Sequence, residues 1–567
     1  MKSFALKYLF VLLFLSLATW LIWDKFNYPL TGIDDANIFL VYAKNLSNGH
    51  GFVYNISGER VEGFSSLLWT LICAVAFRLS AKPELTLLIL NVIIVALGTT
   101  VALSYLSRRG DSGRLQVFWS LTFLILLFSS PTYILWNTIS LMENAIWGIL
   151  LLFATIFIIR EDILTKSINS TFIPLAVLLL LTRPESFLWV AVFVGILLAR
   201  RTMADGIIQT LKNMAPTFAV VVITVIGLTA FRLSYFGYPL PNTYYAKMSP
   251  SLTYNISQGS IYFLQYFRSS PIVMICVLAV GLTGMNTILM FISGKFRNDG
   301  SIFLPVIAGV GLLVPLITGG DHFGSFRFYQ GLFPILLLCL IYCCRSVLPQ
   351  YFRLEFNPNT PRWSQLAFVS SLGLVIISFF ILYQIRIWKS FKETSEMSVE
   401  FGLAREGRET GRNAQEIFEA MPEFPSVGVV TAGGIKYTYQ GEVVDLMGLN
   451  NVLMAHNGGD RSGLKNHSAF EKSTFYQLLP DIVYPQVVSN DGWQYKEIPL
   501  KKSWANTVAL KGLFDDPAFL EQYTYAKIEK TTDSDKALVG WFKKDYLSKL
   551  IASGHFDIES YEYRGSE

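Results

Sequence analysis

Two adjacent carboxylates, Asp34 and Asp35, follow the first apolar stretch of the chain. A pair of accessible carboxylates is able to take a proton from a hydroxyl group or to hold a cation. The same pair is typical of the start of a helix, where the helix dipole favours acidic side chains. The spacing of the two acids leaves both interpretations open, and a divalent metal is a cofactor that the pair would suit.

Basic residues in the polar segments are the candidate ligands of an anionic group: Arg60, Arg183, Lys247 and Arg327. An arginine guanidinium binds phosphate through two parallel hydrogen bonds, whereas a lysine ammonium binds it as a point charge. The alternative for each is a charge at a helix end whose aliphatic stem lies along apolar surface. For Arg183 a further alternative is an ion pair with Glu185, on the other side of Pro184.

The composition indicates a membrane protein. Of the 567 residues, 52% are hydrophobic and only 15% are charged, whereas globular domains carry about 25% charged residues. The apolar residues form long runs up to about Leu382, and the rest of the chain has the charge density of a soluble domain. The formal net charge of +5 is modest and no basic tract is present, so the sequence predicts no nucleic-acid partner.

The five cysteines lie in apolar segments or at their edges, and none follows Cys344. A C-terminal domain outside the cytoplasm would therefore be stable without disulfides. No cysteine–histidine spacing typical of a metal site is present, so the sequence assigns no residue to metal binding.

The N-terminal apolar run predicts a retained membrane helix. It ends in Trp20 and Trp23 without a small-residue cleavage site, which favours an interfacial belt and a cytoplasmic N-terminus. With this helix, the apolar runs long enough to span a bilayer number about eleven. The further runs lie at about 84–106, 115–130, 143–159, 170–182, 185–200, 213–234, 271–293, 301–318, 328–345 and 365–387.

Charge decides whether the apolar stretch Phe64–Leu79 is a twelfth span. The basic loop of Arg108, Arg109 and Arg114 should be cytoplasmic by the positive-inside rule. That placement requires Phe64–Leu79 to lie along the membrane surface, and it places the C-terminal region outside. Nearly all candidate chemical residues then fall in the outer segments, at about 24–83, 130–144, 182–185, 236–271 and 319–327.

The chain divides into a membrane domain, 1–393, and a C-terminal domain, 394–567. In the second domain, Val399–Met421 predicts a charged amphipathic helix, and short β-type runs alternate with a helical pattern at 468–479. The β-type runs lie at 427–430, 443–446 and 481–484. The pattern predicts an α/β domain of about 170 residues, near the usual domain size. It lacks a Gly-rich phosphate loop, so no separate nucleotide-dependent activity is predicted.

The first outer segment continues with Gly49-His50-Gly51 and then Glu59-Arg60-Val61-Glu62-Gly63. With the acid pair, these runs resemble the GT-C class of membrane glycosyltransferases. Within it they resemble the branch of the terminal mycobacterial arabinofuranosyltransferase and related proteobacterial envelope proteins. Further runs continue the resemblance in order along most of the chain: Leu141–Asn144, Thr182–Glu185, Tyr235–Lys247, Gly319–His322 with Arg327, Ala432–Ile435, and Asp445–Asn450 with His456. Ser65-Ser66 and Asn144 depart from the residues usual in the family.

The resemblance implies a polytopic α-helical membrane protein of the GT-C type, with about eleven transmembrane helices and an extracytoplasmic C-terminal α/β domain. It implies transfer of a sugar from a polyprenyl phosphate to a cell-envelope polysaccharide, lipopolysaccharide or glycolipid. In the named branch the transfer would be of the arabinofuranosyl type. The reaction would take place at the outer face of a bacterial inner membrane, among membrane lipids.

The resemblance also implies roles for the residues that match its motifs. Asp34 or Asp35 would deprotonate the acceptor hydroxyl, and the polyprenyl phosphate would leave with inversion. The donor phosphate would be held by Arg183, Lys247, Arg327 and Arg60. The substrates would be contacted by His50, Glu62, Glu143, Glu185, Asn242, Tyr245, Asp321, His322 and His456. A lone histidine is more often a structural donor, and an aromatic interface belt explains Tyr245 equally well.

Two other classes of protein stay open. An ion-coupled transporter needs ionisable residues near the middle of its spans, whereas the predicted spans are almost free of them. A non-catalytic envelope or motility-related membrane protein with the same fold is the second alternative. Whichever class is right, two roles stay open for the C-terminal domain. It would either bind an acceptor glycan or merely cover the membrane domain.

Overall fold

The structure is a computed structural model. It describes residues 2–107, 113–160, 169–293, 300–351, 396–461, 465, 468–489, 503–531 and 533–561. The predicted span 365–387 and the predicted domain boundary at residue 393 lie outside the described residues. Arg108 and Arg109 of the predicted basic loop also lie outside them.

The chain forms two compact units, each composed of three separate stretches. The first unit consists of Met1–Tyr28, Leu85–Leu228 and Asn255–Ser398, and the second of Pro29–Glu84, Thr229–Tyr254 and Val399–Glu567. The second unit therefore combines the first outer segment, a segment around Asn242 and the C-terminal region. The first outer segment and the segment around Asn242 fall within the membrane domain 1–393 that the sequence predicts.

Six helices of the described chain are long and apolar enough to cross a membrane. They are Ser3–Asp24, Pro83–Leu106, Ser186–Asp205, Ile207–Tyr235, Pro271–Ile292 and Gly300–Thr318. Two bent helix pairs raise the number to eight if each pair is one span: Gly113–Phe128 with Pro131–Ile139, bent by 75°, and Gly324–Gln330 with Phe333–Val347, bent by 65°. The protein is therefore a multi-pass membrane protein, and the total of eleven spans stays a prediction.

The apolar stretch assigned to the membrane surface forms the helix Leu67–Leu79. The Ser66 hydroxyl begins this helix by accepting the Trp69 N–H at 3.2 Å. At 1.5 Å per residue, its 13 residues reach about 20 Å, whereas the hydrocarbon core of a bilayer is about 30 Å thick. This short length favours the surface placement, which stays a prediction.

A buried arginine completes the end of the apolar helix Asn144–Ile159 in the first unit. Arg200 is fully buried, and its guanidinium donates to the carbonyl oxygens of Ile158 and Arg160. The last carbonyls of a helix have no partner within the helix, and a buried carbonyl without a partner is costly. Arg200 therefore supplies the hydrogen bonds that this helix end lacks.

The other helical segments of the described chain are shorter or more polar. The α-helices are Asp34–Ser47, Asn169–Thr182, Asn242–Lys247, Leu252–Ser269, Leu348–Tyr351, Glu396–Ile417, Gly433–Thr438, Val452–His456, Lys472–Leu478, Pro517–Gln522 and Lys544–Ser553. The short 3₁₀ segments outside the spans are Phe418–Ala420 and Leu513–Asp515, and the π segments are Leu135–Ile139, Cys343–Val347 and Ala505–Ala509. We call Asp34–Ser47 the first-loop helix and Asn242–Lys247 the anchored helix.

The C-terminal region folds around a mixed sheet. Its strands are β1 (Val427–Val429), β2 (Val443–Asp445), β3 (Ile482–Ser489), β4 (Tyr523–Lys530), β5 (Asp533–Lys543) and β6 (Phe556–Tyr561). Their order is β2-β1-β3-β5-β4-β6, with β1 parallel to β2 and β3 and the other neighbours antiparallel. The predicted α/β class, the first three strands and the helices near 399–421 and 468–479 are confirmed.

An aromatic cluster forms the core of this sheet domain. The Trp541 ring of β5 lies 5.3 Å from Phe514, 5.2 Å from Phe519 and 5.4 Å from Tyr525, between ring centroids. All four side chains are buried. Because large rings bury much apolar area, the domain has a substantial core in a sequence region that contains no cysteine.

Candidate active site

Asp34 connects the first-loop helix to the C-terminal sheet domain within the second unit. Its side chain is only 7% exposed, and its two carboxylate oxygens accept the backbone N–H groups of Gly433 at 3.1 Å and Gly434 at 2.8 Å. A Cβ atom on Gly433 would lie 1.9 Å from the Asp34 carbonyl oxygen. Only glycine therefore permits this approach, and we call the contact the Asp34 clasp.

Burial raises the pKa of Asp34 to about 6. The two N–H bonds from Gly434 and Gly433 lower it, and the charges of Asp35 and Asp445 raise it. Because this pKa is above the ordinary value of 3.8, the contribution of Asp34 to folding stability is complete below about pH 4 and is lost as the pH rises through about 6. Asp34 is thus a buried structural carboxyl group with both oxygens occupied.

Asp35, the next residue, has a different environment. Its side chain is 20% exposed, and its Oδ2 atom lies 3.6 Å from the Nζ atom of Lys247. Lys247 is the last residue of the anchored helix. The structure therefore gives the two acids different environments, which their spacing in the sequence does not distinguish.

The anchored helix is held at its first residue. The Asn242 side-chain amide donates to the carbonyl oxygens of Gly448 at 2.7 Å and Leu449 at 3.1 Å, and the Asn242 backbone N–H donates to the Glu62 carbonyl at 3.0 Å. The structure thus places the candidate substrate contact Asn242 in hydrogen bonds within the protein. These bonds fix the helix that carries Lys247.

The loop that receives Asn242 is itself rigid. Fully buried Asp445 accepts the backbone N–H groups of Met447 and Asn450 and the Asn450 side-chain amide, each at 2.9 Å. Asn450 in turn accepts the Tyr42 hydroxyl of the first-loop helix at 3.2 Å. The matched run Asp445–Asn450 therefore links the first-loop helix to the anchored helix.

Glu62 forms a buried ion pair with Arg232. The guanidinium Nε lies 2.9 Å from one carboxylate oxygen and Nη2 lies 3.1 Å from the other. Burial raises the pKa of Glu62 to about 7, although the attraction of Arg232 lowers it. Sequence reasoning missed Arg232, and the available signal was a basic residue near the end of an otherwise apolar run, where a charge needs a partner.

The remaining candidates of the second unit lie in two different environments. His50 and Arg60 are exposed, and the Arg60 guanidinium lies over the Tyr235 ring at 4.6 Å. His456 packs against Tyr238 at 4.1 Å and against Tyr245 at 4.2 Å, between ring centroids. Burial, and secondly the charge of Arg461, lower the pKa of His456, so its neutral form is favoured.

Arg183 binds two carboxylates in the first unit. Its Nη1 atom lies 2.5 Å from Glu143 and its Nε atom lies 2.6 Å from Glu185. Its guanidinium also lies 5.0 Å from the ring centroids of Trp147 and Phe328. The ion pair with Glu185, one of the alternatives from the sequence, is therefore present.

Arg327, Asp321 and His322 form a second ionic group in the first unit. The Arg327 Nε atom lies 2.7 Å from one Asp321 oxygen, and the His322 Nδ1 atom lies 3.2 Å from the other. The loop between them contains Ser325 and Phe326 with φ of 60° and 54°, a conformation that non-glycine residues rarely adopt. A strained loop of this kind is typical of functional sites.

The described residues contain no cluster of side chains typical of a metal site. Among them, no group of three or more histidine, cysteine, aspartate or glutamate side chains is placed to hold a metal ion.

Comparison with known proteins gives similarity at the level of structure. No protein-family model matches the chain, and no curated protein matches it. ArnT from Cupriavidus metallidurans, in a crystal structure bound to undecaprenyl phosphate, has 11% sequence identity and a TM-score of 0.45, covering 93% of this chain and 97% of that chain.

Two structures from Archaeoglobus fulgidus are also similar. Its oligosaccharyltransferase in the apo form has 11% identity and a TM-score of 0.46, covering 95% of this chain and 74% of that one. Its oligosaccharyltransferase AglB, in complex with an inhibitory peptide and a dolichol-phosphate, has 10% identity, a TM-score of 0.44 and the same coverage. At these identities and TM-scores the similarity carries no conclusion about chemistry.

Gly433→Ala tests the Asp34 clasp. The added Cβ would overlap the Asp34 carbonyl oxygen, so we expect a loss of about 2–4 kcal/mol of stability, seen as a lower apparent Tm of the purified protein. Gly458→Ala is the matched control, because nothing lies within 4 Å of its added Cβ. Equal Tm values for the two variants would contradict the clasp.

Arg232→Met tests the buried ion pair and its pH dependence. The pKa of Glu62, about 7, exceeds the ordinary 4.5, so its stabilising protonated form is lost as the pH rises through 7. Without Arg232, burying the ionised form of Glu62 costs even more free energy. We therefore expect the free energy of unfolding to fall by about 3–5 kcal/mol at pH 8 and by less at pH 5.5. The measurement is the apparent Tm at both pH values, with Glu62→Gln/Arg232→Met as the control expected to show no such difference.

Proposed function

We propose that this protein is a membrane glycosyltransferase that moves a sugar from a polyprenyl-phosphate donor to a cell-envelope glycan or glycolipid. The observation that carries the proposal is the accessible Asp35 carboxylate, 3.6 Å from the Lys247 ammonium, directly beside the Asp34 clasp. The resemblance of the ordered sequence motifs to the GT-C class supports the same reaction.

In this proposal Asp35 is the general base and Asp34 is a positioning residue. Asp35 takes the proton of an acceptor hydroxyl while the hydroxyl oxygen forms a bond to the anomeric carbon of the donor sugar. The bond between that carbon and the phosphate oxygen breaks, and polyprenyl phosphate leaves with the electron pair. This direct displacement inverts the anomeric centre. Asp34 is less suited to the role of base because it is only 7% exposed and each of its oxygens already accepts a backbone N–H.

Lys247 and Arg60 are the cations of the second unit that we assign to the leaving phosphate. Negative charge on the phosphate grows as the bond breaks, and a fixed cation stabilises it most in the transition state. A lysine ammonium has three N–H donors, so Lys247 is able to bind a phosphate oxygen while it pairs with Asp35. Arg60 is held by stacking on Tyr235.

Arg183 and Arg327 stay candidates for binding a phosphate in the first unit. Each already binds carboxylates of the first unit, so a phosphate would compete with those acids for its N–H groups. We therefore assign direct phosphate contact first to Lys247 and Arg60, and assign Glu143, Glu185 and Asp321 to holding these two arginines.

The proposal includes the membrane face on which the reaction takes place and the class of sugar donor. The charge pattern favours a cytoplasmic N-terminus and a C-terminal domain on the outer face of a bacterial inner membrane. The branch that the motifs resemble makes arabinofuranosyl transfer the first donor to test. Ser65, Ser66 and Asn144 depart from the residues usual in that branch, which makes a panel of donors necessary.

Asp35→Asn and Asp34→Asn separate the two roles. We expect Asp35→Asn to lower transfer about 10²–10⁴-fold without changing the apparent Tm, because the base is lost and the fold is kept. We expect Asp34→Asn to lower the free energy of unfolding by about 1–3 kcal/mol, seen as a lower apparent Tm, and to leave measurable transfer. The measurement is transfer of radiolabelled sugar from a panel of polyprenyl-phosphate sugars to envelope extracts by purified full-length protein.

Full activity of Asp35→Asn would remove the assigned base. No transfer by the wild-type protein from any donor would favour a non-catalytic envelope protein instead, if the Asp34→Asn/Asp35→Asn variant also restores the growth or envelope defect of cells that lack the protein.

A further inference from the structure

Tyr244 is an exposed aromatic side chain on the anchored helix. Its exposure is 46%, and its ring packs against Tyr245 with centroids 5.5 Å apart and planes at 89°. An edge-to-face contact supports a ring and leaves much of its surface uncovered. Tyr244 therefore presents an aromatic surface to its surroundings.

The support beneath this ring is rigid. Tyr245 packs against His456 at 4.2 Å and against Tyr238 at 5.8 Å, between ring centroids. Arg461 fixes the same region, because its guanidinium donates to the carbonyl oxygens of Tyr245 at 3.4 Å and Ala455 at 3.0 Å. A surface held in this way loses little conformational entropy when it binds a ligand.

Tyr244 lies on the same helix as Lys247, the partner of the proposed base. Tyr244 and Lys247 are three residues apart on one helix, so their Cβ atoms are about 5–6 Å apart on one face. The Lys247 ammonium is in turn 3.6 Å from the Asp35 carboxylate. Tyr244 and the lysine of the ion pair therefore extend from neighbouring positions of one helix.

We propose that Tyr244 stacks on a sugar ring of the acceptor glycan. A sugar ring has apolar C–H faces and a rim of hydroxyl groups, so it is able to cover the tyrosine ring and hydrogen-bond to the neighbouring ions at once. A lipid hydrocarbon would cover the ring but would remove water from Asp35 and Lys247 without replacing their hydrogen bonds. The adjacent ion pair thus favours a sugar over a lipid tail.

The acceptor is favoured over the donor because of the base. The acceptor hydroxyl must lie within about 3 Å of the Asp35 carboxylate to lose its proton, so the acceptor sugar itself binds beside the ion pair to which the anchored helix contributes Lys247. This inference rests on the proposed function, and it makes Tyr244 a determinant of acceptor binding.

Acceptor titrations of transfer by full-length protein test the inference. The probe is the envelope extract that supports wild-type transfer. We expect Tyr244→Ala to raise the acceptor KM about tenfold, with the donor KM unchanged, and Tyr244→Phe to stay within about twofold of wild type because the ring is kept. Trp504→Ala is the matched control, since Trp504 is an equally exposed aromatic residue of the second unit, at 46%.

Saturation-transfer NMR on protein in lipid nanodiscs tests binding without activity. The probes are the methyl glycosides of arabinose, galactose, mannose and glucose. Signals present with wild type and Trp504→Ala and lost with Tyr244→Ala support the stacking site. An unchanged acceptor KM, a change in donor KM instead, or glycoside signals that are absent or independent of Tyr244, would overturn it. Absence of all wild-type transfer would instead count against the proposed function, with the NMR arm still deciding the sugar site.

Discussion

The Asp34 clasp is the constraint on which the arrangement of the second unit depends. It joins residues about 400 positions apart in the chain, and each carboxylate oxygen receives one backbone N–H. Burying a carboxyl group is costly unless its oxygens are hydrogen-bonded, and the two glycine amides supply those bonds. Because Asp35 is the next residue on the same helix, the clasp also determines where the accessible carboxylate lies.

A second set of hydrogen bonds fixes the partner of Asp35. Asn242 binds carbonyl groups of the loop after Asp445, and this holds the short helix on which Lys247 lies. A base and a cation that are fixed before substrates arrive need no reorganisation during reaction. The C-terminal domain is therefore part of the candidate site through its backbone, since Gly433, Gly434 and Gly448 all supply bonds to it.

Several buried charges occur as ion pairs in both units. Glu62 pairs with Arg232 in the second, and Arg183 and Arg327 bind acids in the first. Breaking such a pair leaves an uncompensated buried charge, which is far costlier than losing an exposed one. Several acids whose motifs suggested contact with substrate are thus engaged by arginines, whereas the Asp35 side chain is 20% exposed and lies beside a lysine.

The sequence by itself determined the membrane helices, because long apolar runs have few alternatives to crossing or lining a bilayer. It also determined the α/β class of the C-terminal region, whereas the catalytic role of the acid pair stays a prediction. It missed β4, β5 and β6, although Phe556-Asp557-Ile558-Glu559 of β6 alternates apolar and polar residues. Only the tertiary structure decided which acid is accessible, because the groups that occupy Asp34 lie about 400 residues away. The partner of Glu62, 170 residues distant, was decided in the same way, since local spacing carries no information about such contacts.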